Sequence, residues 1–173
     1  MLDEIDDLLD NAIDAHEAKN FEKAAFNYTK ILQKNAHHAD ANHNFGLLSV
    51  EIGLEDQALI FLQTAVNANP NVLQYWVTLI NTLLNLDRID DAEVALKVAH
   101  SLGHRDVVLD QLKHNLELKQ RGAINQETQV PDYSQTEKKF RASYEPSINN
   151  DRSGECRINI LEKMKLDNAI KLA

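Results

Sequence analysis

Residues 39–72 read ADANHNFGLLSVEIGLEDQALIFLQTAVNANPNV, and residues 73–106 read LQYWVTLINTLLNLDRIDDAEVALKVAHSLGHRD. Written one above the other without gaps, they place Ala58 over Ala92, Leu62 over Leu96 and Ala65 over Ala99. Residues 5–38 add Ala24, Tyr28 and Ile31 to the same columns. Self-similarity at a fixed spacing of a few tens of residues is the mark of a stacked repeat.

The other columns show what is repeated. Phe45 and Gly46 stand at the seventh and eighth places of their unit, and Trp76 and Leu79 at the fourth and seventh places of theirs. Lys19-Asn20, Gly53-Leu54 and Asp87-Arg88 fall together as turns. Acidic residues follow, such as Asp90 and Asp91, and these suit the positive end of a helix dipole. Apolar residues at helical spacing on both sides of each turn predict two antiparallel helices per unit. Small residues, Gly46 against Ala58, let the helix axes approach. One helix pair cannot bury its own apolar face, so the units must stack into a solenoid.

These residues resemble the tetratricopeptide repeat family, whose pattern is W-x2-L-G-x2-Y, then A-x3-F, A and P. The likeness rests on Trp76, Leu79, Phe45, Gly46, Ala24, Tyr28, Ala58, Leu62, Ala65, Pro70, Ala92, Leu96 and Ala99. Ile80 departs from the small eighth residue, and Ala36 replaces the closing proline of the first unit. The resemblance implies an all-α, right-handed solenoid of three 34-residue helix-turn-helix repeats, 5–38, 39–72 and 73–106, inside a domain of residues 1–119. It also implies a concave groove, lined by the first helix of each unit, that receives a peptide.

The groove places implied by the family are Asp6, Leu9, Ile13, His16 and Glu17 in the first unit. They are Asp40, His43, Leu47, Val50 and Glu51 in the second, and Gln74, Val77, Asn81, Leu84 and Asn85 in the third. Asn44 at the sixth place resembles the asparagine ladder of repeats attached to glycosyltransferases, but Asp10 and Thr78 leave that ladder incomplete. None of the fifteen groove places holds Lys or Arg, which excludes the carboxylate clamp of the chaperone-binding branch. A neutral, partly apolar channel edged by Asp6, Glu17, Asp40 and Glu51 would prefer a peptide with apolar anchors and flanking basic residues.

Residues 105–119 predict a capping helix with an apolar stripe of Val108, Leu109, Leu112, Asn115 and Leu116. Residues 120–156, with Pro131 and Pro146 and many polar residues, read as a flexible linker. Residues 157–173 read as a short amphipathic helix carrying Ile158, Leu161, Met164 and Leu172. A helix that short is marginal alone in water and needs a partner. Docking on the solenoid and pairing with another copy, a homo-oligomer, are both open.

Composition narrows the function. The 173 residues carry a net charge of −9. Residues 1–119 hold 9 Lys or Arg against 19 Asp or Glu, and residues 120–173 hold 9 against 8. An acidic array repels nucleic acid. The single Cys156 excludes an intramolecular disulfide framework. The acidic start, Leu2-Asp3-Glu4, is unlike a signal peptide, and a cytoplasmic location is expected. Residues 57–86 lack formal charge, but their amides, hydroxyls and Pro70 exclude a membrane span.

No phosphate loop, nucleophile elbow or zinc-protease motif is present, and neither an enzyme nor a cofactor is expected. His37, His38, Asp40 and His43 are read as polar surface groups rather than metal ligands. Trp76 is read as core. The leading expectation is a non-enzymatic protein-interaction module. The alternatives are a targeting or substrate-presenting module of a glycosyl-, sulfo- or methyltransferase, and a scaffold that self-associates through its tail helix.

Overall fold

The computed structural model describes residues 2–122, and every regular element in them is an α-helix. The helices are α1 (Leu2–Glu17), α2 (Phe21–Lys34), α3 (Ala39–Glu51), α4 (Glu55–Ala68), α5 (Leu73–Asn85), α6 (Ile89–Ser101) and α7 (Val107–Gln120). They pair as α1/α2, α3/α4 and α5/α6, one pair for each repeat read from the sequence. The linker and tail-helix expectations for 120–156 and 157–173 fall, from residue 123 onward, outside the described residues.

The turn inside each pair is left-handed at the same place of every unit. Lys19 and Asp87 have φ of 58° and Gly53 has 73°. Only one of the three is glycine. The two that are not are each tied to the next first helix by an ion pair, Lys19 to Glu51 at 2.8 Å and Asp87 to Lys119 at 3.0 Å. The same contact is thus made twice with the charges exchanged.

Packing inside each pair depends on the eighth place. A Cβ on Gly46 would lie 2.6 Å from Cδ2 and 2.8 Å from Cγ of Leu62, which is itself fully buried. Glycine therefore lets α3 settle onto α4. In the next unit Ile80 fills that place, and α5 and α6 pack less closely. An aromatic column, Tyr28, Phe45 and Phe61, runs through the first two units with centroid separations of 5.9 and 4.7 Å.

Curvature follows from which helices touch across units. Neighbouring odd helices meet, α1 with α3, α3 with α5 and α5 with α7, and no two even helices come as close. The odd layer is therefore the inner, concave one and the even layer the outer, splayed one.

Helix α7 ends the described stack. It begins at Val107 rather than 105 because Asp106 is extended (φ −149°, ψ 148°) and its carboxylate accepts from the Val108 N–H at 2.9 Å. Leu109, Leu112 and Leu116 are buried against α5 and α6, whereas Val108, expected in that stripe, is 41% exposed. At the places where α5 turns Trp76, Leu79 and Ile80 toward its partner helix, α7 carries Asp110, Lys113 and His114, all exposed. A polar outer face of this kind closes a solenoid against further stacking.

Candidate functional site

The inner face is built from α1, α3 and α5, and its centre is a polar seam. The His43 ring stacks on Tyr75 with centroids 4.8 Å apart. Its Nε2 lies 3.0 Å from Thr78 Oγ1 and its Nδ1 lies 3.3 Å from Asn44 Oδ1. Burial pushes the imidazole down to about 4, so His43 is neutral at physiological pH. Beside it the Tyr75 hydroxyl donates to the Asp40 carboxylate. The contacts of His43 with Tyr75 and Thr78 and of Tyr75 with Asp40 join neighbouring repeats and fix the spacing of α3 and α5.

This seam decides which of the expected groove residues a ligand can reach. His43, Asn44, Gln74, Val77, Thr78 and Leu84 are buried. Asp40, Leu47, Val50 and Asn81 are half-buried, and Glu51 and Asn85 are exposed. The fifth and sixth places of α3 and α5 face the neighbouring helix because the inner layer is compressed. The reachable floor is Leu47 and Val50, with Asn81 and Asn85 on one side and Leu9 and Glu17 of α1 on the other.

The acidic edge is also narrower than the sequence implies. Glu51 lies 2.8 Å from Lys19 Nζ and 3.4 Å from His16 Nε2. Hydrogen bonds from His16 first and Lys19 second hold its carboxyl at about 2, against the opposing effect of partial burial. Asp40 has its tyrosine partner. Asp6 and Glu17 are exposed on α1. Tyr75 and Lys19 fall outside the groove places, since one stands at the third place and the other in the turn. Their signal was the 34-residue register itself, which sets Tyr75 beside Asp40 and Lys19 beside Glu51.

Two histidines read as surface groups are buried. His38 is the N-cap of α3, its Nδ1 accepting from the Ala41 N–H at 3.3 Å, and burial lowers its pKa. His43 is the seam residue already described. Among the described residues, no group of three or more His, Cys, Asp or Glu is arranged to hold a metal ion.

Residues 15–79 match the profile of the family described as tetratricopeptide repeat. Those residues carry the tetratricopeptide repeat pattern. The match runs from the end of α1 into α5, across the units in which Gly46, Ala58 and Pro70 fall. Among solved structures, the chain is similar to the crystal structure of the Sgt2 TPR domain from Aspergillus fumigatus. The identity is 22%, the TM-score 0.59, and the likeness covers 75% of this chain and 89% of that one. No curated protein sequence matches the chain. Tetratricopeptide repeat arrays are, as a class, protein–protein interaction modules, and this chain has their fold. Among the described residues, no helix is long and apolar enough to cross a membrane.

Proposed function

We propose that this tetratricopeptide repeat chain is a non-enzymatic interaction module whose concave face takes a short peptide with apolar anchors. The observation that carries the reading is the pair Leu47 and Val50, half-buried on the inner face beside the seam in which His43 meets Thr78. Apolar side chains left accessible on a concave surface gain from being covered. Asn81 and Asn85 border the strip and supply amides for the backbone of an extended ligand. Asp6 and Glu17 on α1 favour a basic residue at the ligand's end over α1. A short apolar strip on a stacked array suits a micromolar complex, about −8 kcal/mol.

Selection from a random peptide library on the full chain tests the reading. The recovered peptides should share two apolar anchors and a Lys or Arg, and Leu47→Asp should weaken them at least tenfold, about 1.4 kcal/mol. Peptides that bind the Leu47→Asp protein as well as the wild type would remove the concave face from the account. Val77→Asp is unsuitable for this purpose, because Val77 is 2% exposed and its replacement would bury a charge.

A further inference from the structure

The outer face has an apolar feature of its own. The twenty-second place of every repeat is hydrophobic and exposed: Phe26 at 52%, Ile60 at 40% and Val94 at 60%. Phe26 lies under the Lys30 ammonium, 4.3 Å from the ring centroid. Beside Val94 a cleft of about 280 Å³ opens between α4 and α6. Trp76, Leu79 and Leu83 of α5 line it, with Val94 and Val98 on the α6 side. It lies where the even helices splay apart, in the unit where Ile80 takes the place of a small residue.

Three observations select an occupant. The first is where the described chain ends. Lys119 bonds Asp87 at 3.0 Å and Gln120 bonds Glu93 at 3.1 Å, so the chain leaves the stack beside the start of α6, next to Val94. A coil as long as residues 123–156 spans about 30 Å, more than the few helix diameters needed. The second is charge. The first turns of α4 and α6 hold Glu55, Asp56 and Asp90, beside an Asp91 that is paired with Arg88 at 2.6 Å on the cleft wall. Residues 157–172 hold Arg157, Lys163, Lys165 and Lys171 against Glu162 and Asp167. The third is pattern and length. Ile158, Leu161, Met164 and Leu172 recur at helical spacing, and sixteen helical residues extend about 24 Å, close to the length of α4 or α6.

We infer that residues 157–172 of this chain dock in the outer-face cleft between α4 and α6, covering Val94 and Val98 over the Trp76 floor. The tail is then a ligand in cis on the convex side, and the concave groove stays free for a partner. This is independent of the peptide reading above.

The chain carries its own ruler, since Trp76 is its only tryptophan and Cys156, the residue before the segment, its only cysteine. Energy transfer from Trp76 to a thiol-linked acceptor on Cys156 is measured in the full chain. Docking predicts strong transfer that does not change on dilution. It predicts loss of that transfer in Val98→Asp and in Leu161→Asp/Met164→Asp, and no change in Leu47→Asp. Val98 is 39% exposed, so its variant keeps the helical circular-dichroism spectrum. Weak transfer in the wild type, transfer indifferent to Val98→Asp, or transfer lost through Leu47→Asp would overturn the inference. Transfer that falls away on dilution would overturn it too, by assigning the cleft to a second copy.

Discussion

Asn42 and Trp76 make the same hydrogen bond one repeat apart. Asn42 Nδ2 donates to the Ala36 carbonyl at 2.9 Å, and Trp76 Nε1 donates to the Pro70 carbonyl at 2.8 Å. Each crosses the turn between units from the fourth place of a first helix, so an amide and an indole perform one task. The Pro70 carbonyl has a second donor, His104 Nε2 at 2.8 Å, from the place that Pro70 itself holds one unit earlier.

That shared acceptor yields a non-additive prediction. Trp76→Phe keeps most of the apolar area, and His104 still satisfies Pro70, so it should cost only about 1 kcal/mol. His104→Ala should cost no more. The double variant leaves the carbonyl without either donor and should exceed the sum of the singles by about 1 kcal/mol in chemical denaturation. Strict additivity would mean that the two bonds are energetically unrelated. Trp76→Ala, which also empties the core, should cost ~3–5 kcal/mol.

Gly46→Ala should destabilise the fold by about 1–3 kcal/mol, because Leu62 is fully buried and cannot give way without moving the core. Thermal unfolding checks this. An unchanged midpoint would mean that α3 and α4 can part at no cost.

The His43 shift gives a pH dependence with a definite sign. Its folded pKa, about 4, lies below the ordinary value of 6.5, so the unfolded chain binds the extra proton between them. Stability is therefore undiminished above pH 6.5 and falls as pH drops toward 4, by about 3 kcal/mol from this group. His38 acts in the same direction. Glu51, held at about 2, loses its stabilising contribution below its usual 4.5. His43→Gln should flatten the slope between pH 6.5 and 4, as read from urea midpoints.

The exchanged ion pairs predict a rescue. Asp87→Lys alone sets two cations together and should cost up to about 1 kcal/mol, while Asp87→Lys/Lys119→Asp should recover most of it. The left-handed backbone is no obstacle, since Lys19 holds the same φ of 58° in the first unit.

The repeat register carried most of the fold, because a helix pair that must stack leaves its small and bulky residues in fixed columns. Ala24, Ala58 and Ala92 are all fully buried, and Lys19, Gly53 and Asp87 all turn left-handed at one place. The candidate site was legible only in part. The repeat pattern fixes groove places one helix at a time, whereas exposure on the inner face depends on how near the next first helix stands. His43, Val77 and Thr78 are buried for that reason. Glu51 read as an open acid because its partner Lys19 lies in a turn, 32 residues away in sequence. The outer-face cleft was not legible, since Val94 and Val98 look like ordinary core residues until α6 is placed.

The most direct test of concave binding is amide chemical-shift mapping of the full chain, titrated with a peptide of two leucine anchors flanked by lysines. Binding on the concave face predicts saturable shifts centred on Leu47, Val50, Asn81 and Asn85, absent in Leu47→Asp. Shifts centred on Val94 and Val98, or spread without saturation, would contradict it.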